Sequence, residues 1–260
     1  MTDIIFSILC HISPECFVDT LENLIFFNKA NRIKIIVNSN NFMYKSLADK
    51  YKDNSTIMFY PNPWDKVGSS FCILEGHIQN FEYCKNNNID STYFIMLASN
   101  CMFHRQLTLS EIEIGLMTSE NVTDISQKNI IHQDWHWTAF YQNKKIMNIL
   151  NNNNIFNLKH GQCEGFIFEY DMYDKMVDFI QKNKIKDLIT STTVFEEILP
   201  HTLYTYFTKK KPFTICRMFW ELPKYTPSIE HILNTQEPCV KRVLLDMNNP
   251  VRVWIRSNQN

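Results

Sequence analysis

Two adjacent glutamates, Glu196 and Glu197, stand in the stretch Ser191-Thr-Thr-Val-Phe-Glu-Glu-Ile-Leu-Pro-His-Thr-Leu203. A carboxylate at the first turn of a helix, beside a strand that lines a cleft, can take a proton from a hydroxyl whose oxygen attacks an activated carbon. A single displacement needs one such base. Neighbours on a helix point about a hundred degrees apart, so the second glutamate is expected to be solvated or to cap the helix. Glu164, in Gly161-Gln-Cys-Glu-Gly-Phe-Ile-Phe168, is a third carboxylate on a strand-like segment and the rival base. Cations gather in the C-terminal region as Lys241, Arg242, Arg252 and Arg256. Ammonium and guanidinium groups are the usual partners of phosphate, and the alternative for these four is a solvated basic face.

The segment His132-Gln-Asp134-Trp-His136 offers other chemistry. If extended, its period of two places His132, Asp134 and His136 on one face, a pattern resembling a first-row metal site. Three ligands without a partner motif make a weak metal signal, and the surrounding aromatics Trp135 and Trp137 equally suit a core or a stacking surface. His77 reads as a helix-face histidine.

These groups sit in a chain of 260 residues that is 45% hydrophobic and 13% aromatic, enough for a substantial core. A net charge of −1 argues against a broad basic field for nucleic acid. The apolar N-terminus, 1–10, lacks the basic flank of a signal peptide, and no run reaches the length of a membrane span, so a cytoplasmic protein without a membrane segment is expected. The eight cysteines show no C-x-x-C spacing and read as reduced core thiols.

Strand-like runs at 3–9, 33–38, 56–60 and 92–97 alternate with helical patterns at 14–27, 42–51 and 70–85. Alternation of this kind predicts an α/β fold with a mostly parallel central sheet flanked by helices. In such a sheet the ligand crevice lies beyond the carboxyl ends of the strands, which brings 11–13, 38–40 and 98–100 to one rim. His11 and Ser13 are therefore candidates to touch a nucleotide base or ribose. The stretch 107–158 is ambiguous, with a helix from 109, a strand at 129–132 and an aromatic segment at 135–141. A further strand at 163–170, helices at 171–183 and 194–207, and a strand at 214–220 follow; Pro200 is expected to bend the second helix or mark its first turn. No internal repeat or linker divides the chain, so 1–260 is expected to be one domain, with 1–106 the nucleotide-binding half and 107–260 the acceptor-binding and catalytic half.

Five segments carry a family resemblance. Val67-Gly-Ser-Ser-Phe71, Phe94-Ile-Met-Leu-Ala-Ser-Asn100, Gly161-Gln-Cys-Glu-Gly-Phe-Ile-Phe168, Phe195-Glu-Glu-Ile-Leu-Pro-His-Thr202 and Cys239-Val-Lys-Arg-Val243 occur in a telling order. That order and spacing resemble the core-2/I-branching type N-acetylglucosaminyltransferases and the related peptide O-xylosyltransferases. The resemblance implies a GT-A type nucleotide-sugar transferase fold and inversion at the anomeric carbon. It also implies no required divalent metal, consistent with Ala98-Ser99-Asn100 standing where metal-dependent sugar transferases place Asp-x-Asp.

Carried over by motif, Glu197 matches the catalytic glutamate and Lys241 a lysine that contacts the donor diphosphate. Arg217 lies near the second diphosphate-binding cation. With His11, Ser13, Asn100 and Arg242 these form the expected donor site. Glu164, His136 and Trp137 are the expected acceptor contacts. The implied partners are a nucleoside-diphosphate sugar, of UDP-hexosamine or UDP-xylose type, and a carbohydrate hydroxyl. Gly161-Gln162 replaces the family's Gly-Ser, and Ala-Ser-Asn its Ser-Gly-x-Asp, so donor and acceptor identity do not carry over. Two alternatives stay open: a retaining or metal-dependent enzyme using His132, Asp134 and His136, and a nonenzymatic nucleotide- or glycan-binding module.

Overall fold

The computed structural model describes residues 2–11, 13–64, 73–119, 137–188 and 195–259, leaving the side chains of 137, 138 and 225 aside. The chain opens with β1 (Thr2–Cys10), α1 (Pro14–Phe27), β2 (Ile33–Ser39), α2 (Asn41–Leu47), β3 (Ile57–Phe59), α3 (Ile73–Asn86) and β4 (Ser91–Ala98). Its first strand is buried almost without interruption rather than on alternate residues. That is the mark of a strand covered on both faces, as parallel sheets built from strand-helix-strand units require. Ser7, the polar exception, is satisfied from α3: its Oγ lies 2.7 Å from His77 Nδ1 and accepts from Asn80 Nδ2 at 2.8 Å. His77 is thus a core histidine, and burial depresses its pKa to about 3.

The main sheet has the strand order β3-β2-β1-β4-β6-β7, where β6 is Phe166–Glu169 and β7 is Phe213–Thr214. The first four strands are parallel neighbours, and β6 runs antiparallel between β4 and β7. A second sheet, β5-β9-β8, joins Met102–Phe103, Cys239–Val240 and Cys216–Arg217. Asn23 of α1 fixes its edge by acting like a strand neighbour: Nδ2 donates to Phe103 O at 2.8 Å and Oδ1 accepts from Phe103 N at 2.7 Å. The helices α4 (Leu109–Thr118), α5 (Trp137–Gln142), α6 (Lys144–Asn152), α7 (Tyr170–Lys182), α8 (Phe195–Thr208), α9 (Ile229–Leu233) and α10 (Pro250–Ser257) complete the order. In α7 the buried Tyr173, Met176, Val177 and Ile180 recur at helical spacing, giving it one apolar stripe against β4 and α8.

The α/β class and the mostly parallel, helix-flanked sheet agree with expectation, while several boundaries move. The helix expected over 42–51 ends at Leu47 and continues only as a 3₁₀ turn, Asp49–Tyr51. The strand expected over 214–220 is two short strands in different sheets, β7 and β8, because Ile215 N bonds Gly165 O between them. The segment 67–71 and the expected strand at 129–132 lie outside the described residues. Among the described residues no helix is long and apolar enough to cross a membrane.

Candidate active site

Strand order places the crevice. β1 has β2 on one side and β4 on the other, so successive connections leave in opposite directions and the chain cannot close the gap beyond their carboxyl ends. The segments leaving β1, β2 and β4 line that gap. His11, after β1, is exposed, and its carbonyl accepts from Asn40 Nδ2 at 2.9 Å. Ser13 holds a left-handed conformation, φ 56°, one residue before α1. Asn100, after β4, has its carbonyl bound by Val243 N at 3.2 Å, whereas its buried Oδ1 has no partner among the described residues.

Because β6 runs antiparallel to β4, the residues preceding it arrive at the same end of the sheet. Gly165 N donates to Met96 O at 2.7 Å and sets Glu164 beside the end of β4. Gly165 is required there: its φ is +80°, and a Cβ would stand 2.3 Å from Cys216 Cβ. From the other side, Lys241 N donates to Arg217 O at 2.9 Å as β9 ends. The two chemistry-bearing side chains then meet, Lys241 Nζ donating to Glu164 Oε1 in an ion pair with only 14% and 8% of the side chains exposed. Burial disfavours both charges, but each outweighs that for the other: Glu164 titrates below the usual carboxylate range and Lys241 above the usual lysine range.

The first turn of α8 closes the cluster. Gly161 N donates to Glu197 O at 2.9 Å, tying the loop before β6 to the helix, and a Cβ on Gly161 would stand 2.7 Å from His201 Cε1. Glu197 is partly exposed. Glu196 is buried, which corrects the expectation that it would be solvated. Burial, reinforced by the charges of Glu197 and Glu164, pushes its carboxyl up to about 7. Pro200 lies inside α8 and leaves Glu196 O without the N–H that a helix would supply from that position. His201 is a core residue, stacked on Phe166 with ring centroids 4.6 Å apart and held near pKa 4 by burial.

The remaining expected residues lie outside this ion-paired cluster. Arg217 is half-exposed and pairs with Glu221 at 2.9 Å, beside a cleft of about 540 Å³ lined also by Phe219, His231 and Glu237. Arg242 is exposed, with φ 69°. Arg252 is not a surface cation: it is fully buried, donating to Asp19 Oδ2 at 2.5 Å and Cys16 O at 3.0 Å. Arg256 also turns inward, donating to Met247 O at 2.6 Å. Trp137 heads α5, which packs against α8. His132, Asp134 and His136 lie outside the described residues, so the metal alternative built on them stays there too.

Sequence reading missed the Glu164–Lys241 pair itself, treating one as an acceptor contact and the other as a phosphate contact. It also missed the convergence of Cys101, Cys216 and Cys239, described below. The signal for both was weak because the partners lie far apart in sequence.

No family model and no curated protein matches the chain. Among solved structures it is similar to residues 1–349 of S. aureus TarS, with 10% identity and a TM-score of 0.40, covering 78% of this chain and 55% of that one. It is also similar to the apo-form glycosyltransferase GlyE of Streptococcus pneumoniae, with 8% identity and a TM-score of 0.38, covering 99% and 60%. A third is the galactosyltransferase LgtC in complex with donor and acceptor sugar analogs, with 8% identity and a TM-score of 0.36, covering 98% and 95%. The chain spans 60% of the GlyE chain, 55% of the shorter TarS chain and 29% of a longer TarS chain.

Proposed function

We propose that the protein is a GT-A type glycosyltransferase that moves a sugar from a nucleoside diphosphate to a carbohydrate hydroxyl by a single, inverting displacement without a catalytic metal. The observation that carries this reading is one gathering at the strand-order crevice. Lys241 pairs with Glu164 there, within electrostatic reach of Glu196 in the first turn of α8, and Asn100 O is bound by Val243 N two residues beyond Lys241. A lysine ammonium has three donors, and Glu164 is its one described partner, so donors remain for the oxygens of a leaving diphosphate. Asn100 Oδ1 can accept from a ribose hydroxyl or base N–H. Glu164 positions Lys241 and borders the acceptor, with His136 and Trp137 assigned to the acceptor side. His11, Ser13, Arg217 and Arg242 complete the donor side.

Glu197 is the assigned base, because it is the more accessible of the pair and lies in the first turn of α8. Glu196 is the second reading, favoured by a carboxyl poised near neutrality, where a base most readily exchanges protons. Thermal shift across nucleotides and nucleotide sugars tests donor binding: a ligand at a hundred times its Kd adds about 2.7 kcal/mol to the folded state. Donor turnover with Glu197→Gln and Glu196→Gln then separates the two acids, the base variant losing roughly 10²–10⁴-fold at unchanged donor binding. Turnover retained in chelator excludes an exchangeable catalytic metal. No shift with any nucleoside diphosphate would falsify the proposal.

A further inference from the structure

Three thiols far apart in sequence meet behind the candidate site. Cys216 and Cys239 are register partners on the parallel strands β8 and β9, and Cys101 directly precedes β5 on the other side of β9. Their sulfur atoms all lie within 4.8 Å of one another, with Cys101 Sγ and Cys216 Sγ 4.0 Å apart. All three residues are buried. A tris-thiolate complex with metal–sulfur bonds of about 2.3 Å separates its sulfurs by roughly 3.8 Å in tetrahedral geometry and roughly 4.0 Å in trigonal geometry. The trio is therefore within a small side-chain adjustment of ligating spacing. Three sulfurs without oxygen or imidazole among the described ligands select a soft cation over magnesium or calcium.

We propose that Cys101, Cys216 and Cys239 form a structural site for one thiophilic d¹⁰ cation, Zn²⁺ or Cu⁺. On binding, each ligating thiol gives up its proton and the three sulfur–metal bonds join the turn after β4 to β8 and β9. Those three segments carry Asn100, Arg217 and Lys241, so the ion fixes the donor side from behind without touching substrate. The metal site stands without the proposed activity, and only its effect on the donor side rests on that reading.

The test uses the full chain purified under reducing conditions without added metal, then treated with chelator and reductant. Metal content by mass spectrometry, and separate titrations with Zn²⁺ and Cu⁺ against competing chromogenic chelators, should each report one ion per chain, the tighter arm naming the ion. Co²⁺ loading should give the intense near-ultraviolet thiolate-to-cobalt band of a sulfur site. Cys216→Ser and Cys239→Ser should lower affinity by more than the roughly 10–100-fold that loss of a supporting group causes. Cys84→Ser, a buried cysteine outside the trio, should leave uptake unchanged. Should a ligand variant fail to fold, the parent chain still decides, since bound ion must raise its Tm. A folded parent that takes up neither ion overturns the proposal, as does a disulfide between two of these three cysteines mapped by peptide mass spectrometry in a parallel sample prepared without reductant.

Discussion

Two buried ion pairs use cations from the same C-terminal stretch, and they do opposite things. Arg252 is sealed: it is fully buried on α10, bonded to Asp19 Oδ2 and Cys16 O of α1 and, through Nε, to Leu244 O at 3.2 Å. Every one of those partners is fixed protein, so the pair fastens the C-terminal helix to the first helix. Lys241 keeps 14% of its side chain exposed and has Glu164 as its one described partner. A charge that a fold encloses with several protein acceptors is a fastener; one held by a single carboxylate at a crevice can exchange partners. As sequence, both are merely a basic residue among apolar ones.

The largest stability effect should come from the sealed pair. Arg252→Ala leaves the buried Asp19 with only the more distant Arg256 Nε, at 3.9 Å, and about 3 kcal/mol should be lost in urea unfolding. Nucleotide binding by the remaining folded protein should persist; its disappearance would break the distinction between fastener and site. Lys241→Met strands the Glu164 carboxylate, but this lysine is partly exposed where Arg252 is not, so a loss of about 2–3 kcal/mol is expected, together with loss of the nucleotide-induced Tm shift. Combining it with Glu164→Gln should recover stability without recovering the shift. Recovery of both would mean that the pair is a fastener like the other.

The third effect concerns pH. Glu196 titrates near 4.5 when unfolded and near 7 when folded, so its native carboxyl holds the extra proton between those values and its own contribution to stability falls as pH rises through that window. Above pH 7 the penalty is constant, about 3 kcal/mol. His77 and His201, buried and neutral, contribute the opposite slope below pH 6.5, so Glu196→Gln should shift the slope between pH 5 and 7 upward by about one proton and stabilise the protein at pH 8, measured by urea unfolding across that range; an unchanged slope would place the titrating carboxyl elsewhere. Smallest is Glu221→Gln, which releases the half-exposed Arg217: no resolvable change in Tm is expected, with slightly tighter nucleotide binding.

Much of the framework is legible in sequence. The near-continuous apolar runs of β1 and β4 and the helical spacing of α1 and α7 reflect local rules of period and burial. Alternation of strands and helices then puts His11 and Asn100 at one rim, since parallel strands all end on the same side. Harder to read was β7 with β8, where one residue between two-residue strands moves the chain from one sheet to another. Glu196 was misread for a similar reason: helix periodicity separates it from Glu197 but does not say which side is covered.

Local periodicity and chain direction are enough to give the α/β class, the parallel core and the rim beyond the carboxyl ends of its strands. Tertiary structure alone decided which charges are used up. Arg252 meets Asp19, Lys241 meets Glu164, and Cys101 meets Cys216 and Cys239 across separations that no local pattern encodes. The energy of a charge depends on what surrounds it, and only packing of distant segments sets those surroundings.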